Sequence, residues 1–340
     1  MFKCTKQEKQ NICEKQDRDK MKNPILELVD EYKAKQIEKY DYIDKMHKYN
    51  KSLSYLSNRI KDTDVQKIEI LDDMLIFTTR RMGIKLAFKG LDRRGVPFDL
   101  INFGEYEKED EPVLFSLVKR SKVILDVGAN LGWYSILFSK LNPQSLIYSF
   151  EPIQETYDYL VTNLTLNSCS NVKHYQIGLK DKKGVADYYY FPEGSVLASE
   201  KNVIECNKAK ILSCNVEKLD DFAHSVGIKH SIDLIKCDVE GAEKLVVEGG
   251  LDSIKKGTPA LFIELFERWT QKFEYHPNEL IALLGEIGYK CFMYHQDNLE
   301  EFREYRELEN ERLNFFFLHP NKHQEIIDSF SKNLTCTSLN

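Results

Sequence analysis

Val123–Ser135 reads VILDVGANLGWYS, an apolar run that stops at Asp126 and then sets Gly128, Asn130 and Gly132 at every second position. A short strand ending this way delivers the chain to the carboxyl edge of a parallel sheet, where open α/β folds bind ligands. Glycines there let a ligand lie against the backbone and let the next helix begin close to the strand. The dinucleotide fingerprint G-x-G-x-x-G is not present, because Gly128 and Gly132 are four apart and the last position is Ser135. A carboxylate at Asp126 sits badly beside a pyrophosphate but suits an ammonium group. The pattern points to a nucleoside that carries an amino acid.

The second apolar run, LIYSFEP, ends in Glu151 about two dozen residues after the glycines, where an acid can accept from both ribose hydroxyls. Pro152 then turns the chain off the strand. This combination predicts S-adenosyl-L-methionine as cofactor, held by Asp126, Gly128, Asn130, Gly132, Glu151 and Pro152. A nicotinamide-dependent oxidoreductase would use a similar cradle but needs the missing glycine pattern.

The surrounding rhythm gives the fold class. Apolar runs at Val123 to Val127, Leu146 to Phe150, Val172 to Ile177, Ile232 to Cys237 and Ala260 to Leu265 alternate with helical segments. Those segments are Trp133 to Leu141, Gln154 to Leu166, Ala242 to Glu248 and Pro277 to Ile287. Such alternation predicts an α/β protein with a parallel sheet covered on both faces. YKCFMYH and LNFFFLHP lack a helical crossover and predict an antiparallel closing hairpin. GVADYYYFP and AKILSCNV predict an inserted strand pair before a short helix at Asp220 to Val226. Its Tyr188 and Tyr190 either stack on a sugar at the mouth of the site or alternate as in any ordinary strand.

Residues 1–64 are dense in charge, with no glycine and only Pro24. Ile25, Leu28, Val29 and Tyr32, then Leu53, Leu56 and Ile60, fall at helical spacing. They predict amphipathic helices that either cap the main domain or pair two chains as a homodimer. Residues 65–120 predict short antiparallel strands in KIEIL, MLIFTT and IKLAF, then the helix EPVLFSLVKR with Pro112 in its first turn. The main domain is expected over 121–320, with a tail over 321–340.

A chain of 340 residues with 42% hydrophobic content can bury one large core. Its net charge of −6 and pI near 5.9 lack the basic field that nucleic-acid binding requires. No signal-peptide-length apolar stretch or run of membrane-spanning length is found, so a cytoplasmic protein is expected. The eight cysteines show no C-x-x-C pair and there is no H-E-x-x-H, so no spacing identifies metal ligands. They read as free thiols. The Asn-Leu-Thr triplets at Asn163 and Asn333 read as chance matches to the glycosylation pattern.

The third informative piece, SIDLIKCDVEGAEKLVVEGG, alternates Lys236, Asp238 and Glu240 along the end of a strand, so the three are expected on one side. A cluster of acids shifts pKa values upward, which suits a general base. His276, in EYHPNEL, is the reserve candidate for that base, against the commoner capping role of a loop histidine.

In the order ILDVGANLGWYS, YSFEP, NLTLN, LDDF, IDLIKCDVEGAE and PALFIELFE, the chain resembles the FkbM family of S-adenosylmethionine-dependent methyltransferases over roughly Phe103 to Pro320. The resemblance implies the class I methyltransferase (Rossmann-like) fold, with a seven-stranded mostly parallel sheet and an antiparallel last hairpin. It also implies methyl transfer mainly to hydroxyl oxygens, in polyketide tailoring and on sugars of glycans. Asp126, Gly128, Asn130 and Gly132 are then expected around the methionine part and Glu151 at the ribose. Asp238, Glu240 and Glu264 are expected where the acceptor meets the sulfonium; the family pattern does not say which of them takes the proton, and we read Asp238 as base with Glu240 or Glu264 orienting the acceptor. The rival within this fold is a binding protein that keeps the cofactor and lacks the chemistry. A nucleic-acid methyltransferase is disfavoured, because the fourth strand ends in CDVEG and not in an N-P-P-Y type signature.

Overall fold

The structure, a computed structural model, describes residues 23–88, 92–205, 209–305 and 313–331. It begins with two helices, α1 (Pro24–Lys33) and α2 (Lys39–Arg59). Asn23 caps α1 by accepting from the backbone N–H groups of Ile25 and Leu26. The pair is joined by the stacked rings of Tyr32 and Tyr42, 4.4 Å apart. No residue of α2 is buried, and in α1 only Leu28 is, so the helices do not lie on the main domain as a cap. Arg59 ties the end of α2 down by donating to the carbonyls of Ile101 and Asn102.

Three antiparallel strands follow, β1 (Val65–Ile70), β2 (Leu75–Thr79) and β3 (Lys85–Phe88), as the period-two pattern predicts. After α3 (Val96–Phe103) and α4 (Glu111–Arg120), strands and helices alternate: β4 (Val123–Val127), α5 (Trp133–Leu141), β5 (Leu146–Phe150), α6 (Gln154–Leu166) and β6 (Val172–Tyr175). The stretch NLTLN at the end of α6 clamps the lead-in sheet to this unit. The Asn163 amide accepts from Ala87 N–H at 2.6 Å and donates to the Leu131 carbonyl at 2.8 Å. Asn167 both accepts from and donates to the backbone of Lys85. Asn163 is wholly buried, which explains physically why its triplet is a chance match; Asn333 lies outside the described residues.

The inserted strands form a separate sheet in which β7 (Gly178–Lys180) and β8 (Gly184–Tyr190) flank β9 (Lys210–Lys218), with β8 and β9 antiparallel as expected. The chain then runs through α7 (Leu219–Ser225), β10 (Leu234–Cys237), α8 (Glu243–Gly249), α9 (Leu251–Gly257), β11 (Ala260–Glu264), α10 (Glu267–Thr270) and α11 (Pro277–Glu286). It closes with β12 (Lys290–His295), β13 (Asn298–Glu301), β14 (Asn314–Leu318) and α12 (Pro320–Phe330).

The main sheet has the order β13-β12-β14-β11-β10-β4-β5-β6, with β11 to β6 parallel and β14 antiparallel between β11 and β12. It is an α/β fold with a mixed, mostly parallel sheet. Eight strands are present where the sequence predicts seven. The extra one is β13, which folds back on β12 through Gln296 and Asp297, both at positive φ. Gln-Asp is not the usual pair for such a turn, so the sequence carries no hairpin signal there. The segment expected as a tail likewise opens with α12, which buries His323, Ile326 and Ile327.

Alternate residues of β4 serve two cores: Ile124 packs on one face of the sheet, Leu125 and Val127 on the other. The strand order reverses between β4 and β10, and their carboxyl ends are where this class of sheet opens a crevice. Of the eight cysteines, Cys169, Cys214, Cys237 and Cys291 are described and free, and the others lie outside the described residues. Among the described residues no helix is long and apolar enough to cross a membrane.

Candidate active site

The turn after β4 runs through Gly128, Asn130 and Gly132, all at positive φ. A Cβ on Gly128 would stand 1.9 Å from the carbonyl oxygen of Asp238. The loops leaving β4 and β10 therefore touch backbone to backbone, and the chain itself requires glycine here before any ligand does. A Cβ on Gly132 would meet Leu160 of α6 at 2.8 Å.

Glu151, just past β5, accepts from the backbone N–H of Asn130 at 3.1 Å and of Ile153 at 2.9 Å. It thus joins two ligand-facing loops while each oxygen keeps a free lone pair. Burial pushes its pKa up to about 7 against those two hydrogen bonds.

Register places Lys236 of β10 beside Asp126 of β4. The Lys236 ammonium donates to the Gly128 carbonyl at 2.9 Å and stands 3.3 Å from Asp238 and 3.6 Å from Asp126 Oδ1. Asp126 is fully buried; its other oxygen accepts from Ser135 Oγ at 2.5 Å, and Ser135 is in turn joined to Ser149. Burial acts against the Lys236 charge, but Asp238, Asp126 and Glu107 outweigh it and hold its pKa above the ordinary value. The Tyr134 ring lies 5.3 Å from the same ammonium, and its hydroxyl donates to the Glu107 carboxylate.

Beyond Cys237 the strand ends, and Asp238 to Gly241 form a tight loop with Glu240 at φ 54°. Glu243 pins this loop by accepting from the N–H groups of Val239 and Gly241, while its second oxygen takes the Tyr275 hydroxyl. Ser199 donates to the Glu240 carbonyl from the opposite side. One carboxylate oxygen from each of Asp238, Glu240 and Glu264 comes within 4.8 Å of the other two. Burial, with Asp238 adjacent, pushes Glu240 and Glu264 well above the carboxylate range.

These groups surround a cleft at the β4–β10 switch point. Gly128 to Asn130, Glu151 and Pro152 line one stretch, over an apolar floor of Phe150, Ile153 and Leu179. Lys236, Asp238 and Glu240 line another, with Tyr106 and Tyr134. The loop of Ser195, Val196 and Ala198 completes the wall.

Two residues expected in the cradle stand behind it instead: Asp126 faces Lys236 and Ser135, and Gly132 faces α6. Glu264 joins the acid cluster without lining the cleft. His276 is placed elsewhere, as the N-cap of α11. Its ring accepts from Asn278 N–H while Glu279 accepts from the His276 N–H, a capping box that leaves it no part in the cleft. Of the two tyrosines, Tyr188 lines the cleft, near Glu151 and Glu200, whereas Tyr190 is buried away from it. The sequence reading missed Glu107 and Tyr134 as site residues. Their pairing crosses from the α3–α4 connection to α5, and no local spacing announces it.

Residues 126–291 match the family model described as the methyltransferase FkbM domain. The chain is similar to the methyltransferase sdnD of Sordaria araneosa, 32% identical over 154 residues, which cover 37% of this chain and 59% of the relative. It is also similar to the 2-O-methyltransferase NoeI of Sinorhizobium fredii, 26% identical over 162 residues, covering 44% of this chain and 65% of the relative. The chain spans about three fifths of the length of sdnD and NoeI. Among solved structures, methyltransferase FkbM from Methylobacillus flagellatus KT aligns with a TM-score of 0.38 at 16% identity, covering 58% of this chain and 43% of that one.

Proposed function

Because the chain carries an FkbM-family methyltransferase domain, we propose that it moves a methyl group from S-adenosylmethionine to a hydroxyl oxygen of a sugar, glycan precursor or related small molecule. The observation that carries this reading is the placing of Asp238 and Glu240 in the wall of the same cleft as Glu151, with Glu264 beside them. The donor set fits the cofactor: an acid with spare lone pairs for ribose hydroxyls, an apolar floor for a base, a backbone wall free of side chains, and acids toward a cation. Gly128, Asn130, Glu151 and Pro152 would hold it, with Asp126 and Gly132 supporting the loop from behind.

When bound, S-adenosylmethionine supplies an electrophilic methyl on a sulfonium, and the protein's work is alignment and removal of one proton. Asp238, whose side chain is 30% exposed, faces the cleft and takes the acceptor's hydroxyl proton. Lys236 keeps Asp238 in place from beneath. Glu240, which lines the cleft, orients the acceptor oxygen, with Glu264 behind it in the same acid cluster. The name of one relative, a 2-O-methyltransferase, supports oxygen as the atom methylated.

The experiment is transfer of labelled methyl from S-adenosylmethionine into saccharide, lipid, protein and small-molecule pools, with Asp238→Asn as the comparison. Label in a saccharide or small-molecule pool that falls by a factor of ~10² or more in the variant, with cofactor binding kept, is expected. Label confined to protein or lipid would overturn the acceptor assignment. Full turnover in the variant would overturn the role of Asp238.

A further inference from the structure

The buried acids around the cleft divide into two kinds. Asp126 has Ser135 and Lys236, Glu151 has two backbone N–H groups, Glu243 has two more and a tyrosine, and Glu107 has Tyr134. Glu240 and Glu264 have none of these. They are 8% and 6% exposed, and among the described residues neither carboxylate takes a hydrogen bond or an ion pair. The nearby ammonium of Lys236 is turned to Asp126, Asp238 and the Gly128 carbonyl instead. Arg94 acts on Glu240 only through space. Two unpartnered carboxylates facing each other and a third acid are costly in a low-dielectric setting unless a positive charge joins them.

We propose that Asp238, Glu240 and Glu264 hold a divalent cation of the Mg²⁺ or Mn²⁺ class at the acceptor end of the cleft; the use made of that ion rests on the methyl-transfer reading above. Three hard oxygen donors, one from each residue and mutually within 4.8 Å, suit an octahedral ion whose oxygens lie at about 2.1 Å. The remaining positions belong to water or the acceptor, on the side where Asp238 and Glu240 line the cleft. A hydroxyl bound there gives up its proton more readily, and single-oxygen ligation leaves Asp238 a second oxygen to receive it. The Asp238–Lys236 contact sets the direction from which that carboxylate approaches.

The test uses the full chain, stripped with a chelator, desalted and titrated with Mn²⁺ alone, with free ion followed by electron paramagnetic resonance. One ion per chain is expected, with affinity weakened by about tenfold or more in Glu240→Gln and Glu264→Gln. Each variant replaces an unpartnered buried carboxyl with a neutral amide of the same shape and is expected to fold; melting curves check this, and Asp238→Asn gives a third arm. Mn²⁺ should raise the melting temperature of the unsubstituted chain more than that of any variant. No bound ion at millimolar Mn²⁺, or equal binding in all four proteins, overturns the site. Methyl transfer that proceeds at full rate with no ion bound overturns the part given to the ion in the reaction. Mn²⁺ binding lost in the variants, without methyl transfer to any hydroxyl acceptor, upholds the site and overturns the functional reading alone.

Discussion

The ammonium of Lys236 stands 3.6 Å from Oδ1 of Asp126 across adjacent parallel strands, and both side chains are buried. The pair lies directly beneath the cleft, so the sheet's central charges support the loops that line it. Removing one partner leaves the other as an uncompensated buried charge. Lys236→Met should therefore cost about 3–5 kcal/mol, and the added change Asp126→Asn should recover much of that loss. Urea unfolding of the four proteins in the cycle checks it; strictly additive losses would sink the coupling.

Two glycines should respond in opposite directions. Gly128→Ala puts a methyl 1.9 Å from the Asp238 carbonyl at a positive φ, so the loops must separate and both stability and cofactor binding should fall. Gly285, in the last turn of α11, has no atom near its missing Cβ. Gly285→Ala should stabilise by about 0.5–1 kcal/mol. Thermal melts and equilibrium dialysis with S-adenosylmethionine read both.

His276→Ala should lower stability by about 1 kcal/mol through the lost cap and leave kcat unchanged. A loss of kcat with an unshifted melting temperature would return His276 to the list of bases.

His323 gives a pH dependence with a definite sign. Burial lowers its pKa from 6.5 to about 4, and its Nδ1 accepts from His319 N–H at 3.0 Å. The unfolded chain takes up a proton near pH 6.5 while the folded chain resists until about pH 4, so stability falls as pH drops through that window. The stability difference between the unsubstituted chain and His323→Leu should shrink from pH 7 to pH 4.5. A difference constant across that range would contradict the burial of a neutral ring.

Much of the fold was legible because its signals are local. β4, α5, β5 and α6 run over the residues that apolar periodicity and the glycine turn predict, since a buried parallel strand needs a continuous apolar run and its helix needs a face. β13 escaped because its turn uses Gln296 and Asp297, residues without a preference for positive φ strong enough to read. The clamp made by Asn163 and Asn167 escaped for another reason. An asparagine's partners are chosen by whatever backbone arrives beside it, here β3 from some eighty residues earlier.

The candidate site divides along the same line. Sequence by itself determined which residues reach the carboxyl edge between β4 and β10, because strand ends and turns are set by neighbours in the chain. Only the tertiary structure decided their roles, turning Asp126 inward to Ser135 and Lys236 and giving Glu151 the task of joining two loops. It also gathered Glu264 from β11 beside Asp238 and Glu240, and sent His276 to cap α11. Those outcomes depend on burial and on hydrogen-bond partners from distant segments, which no spacing along the chain encodes.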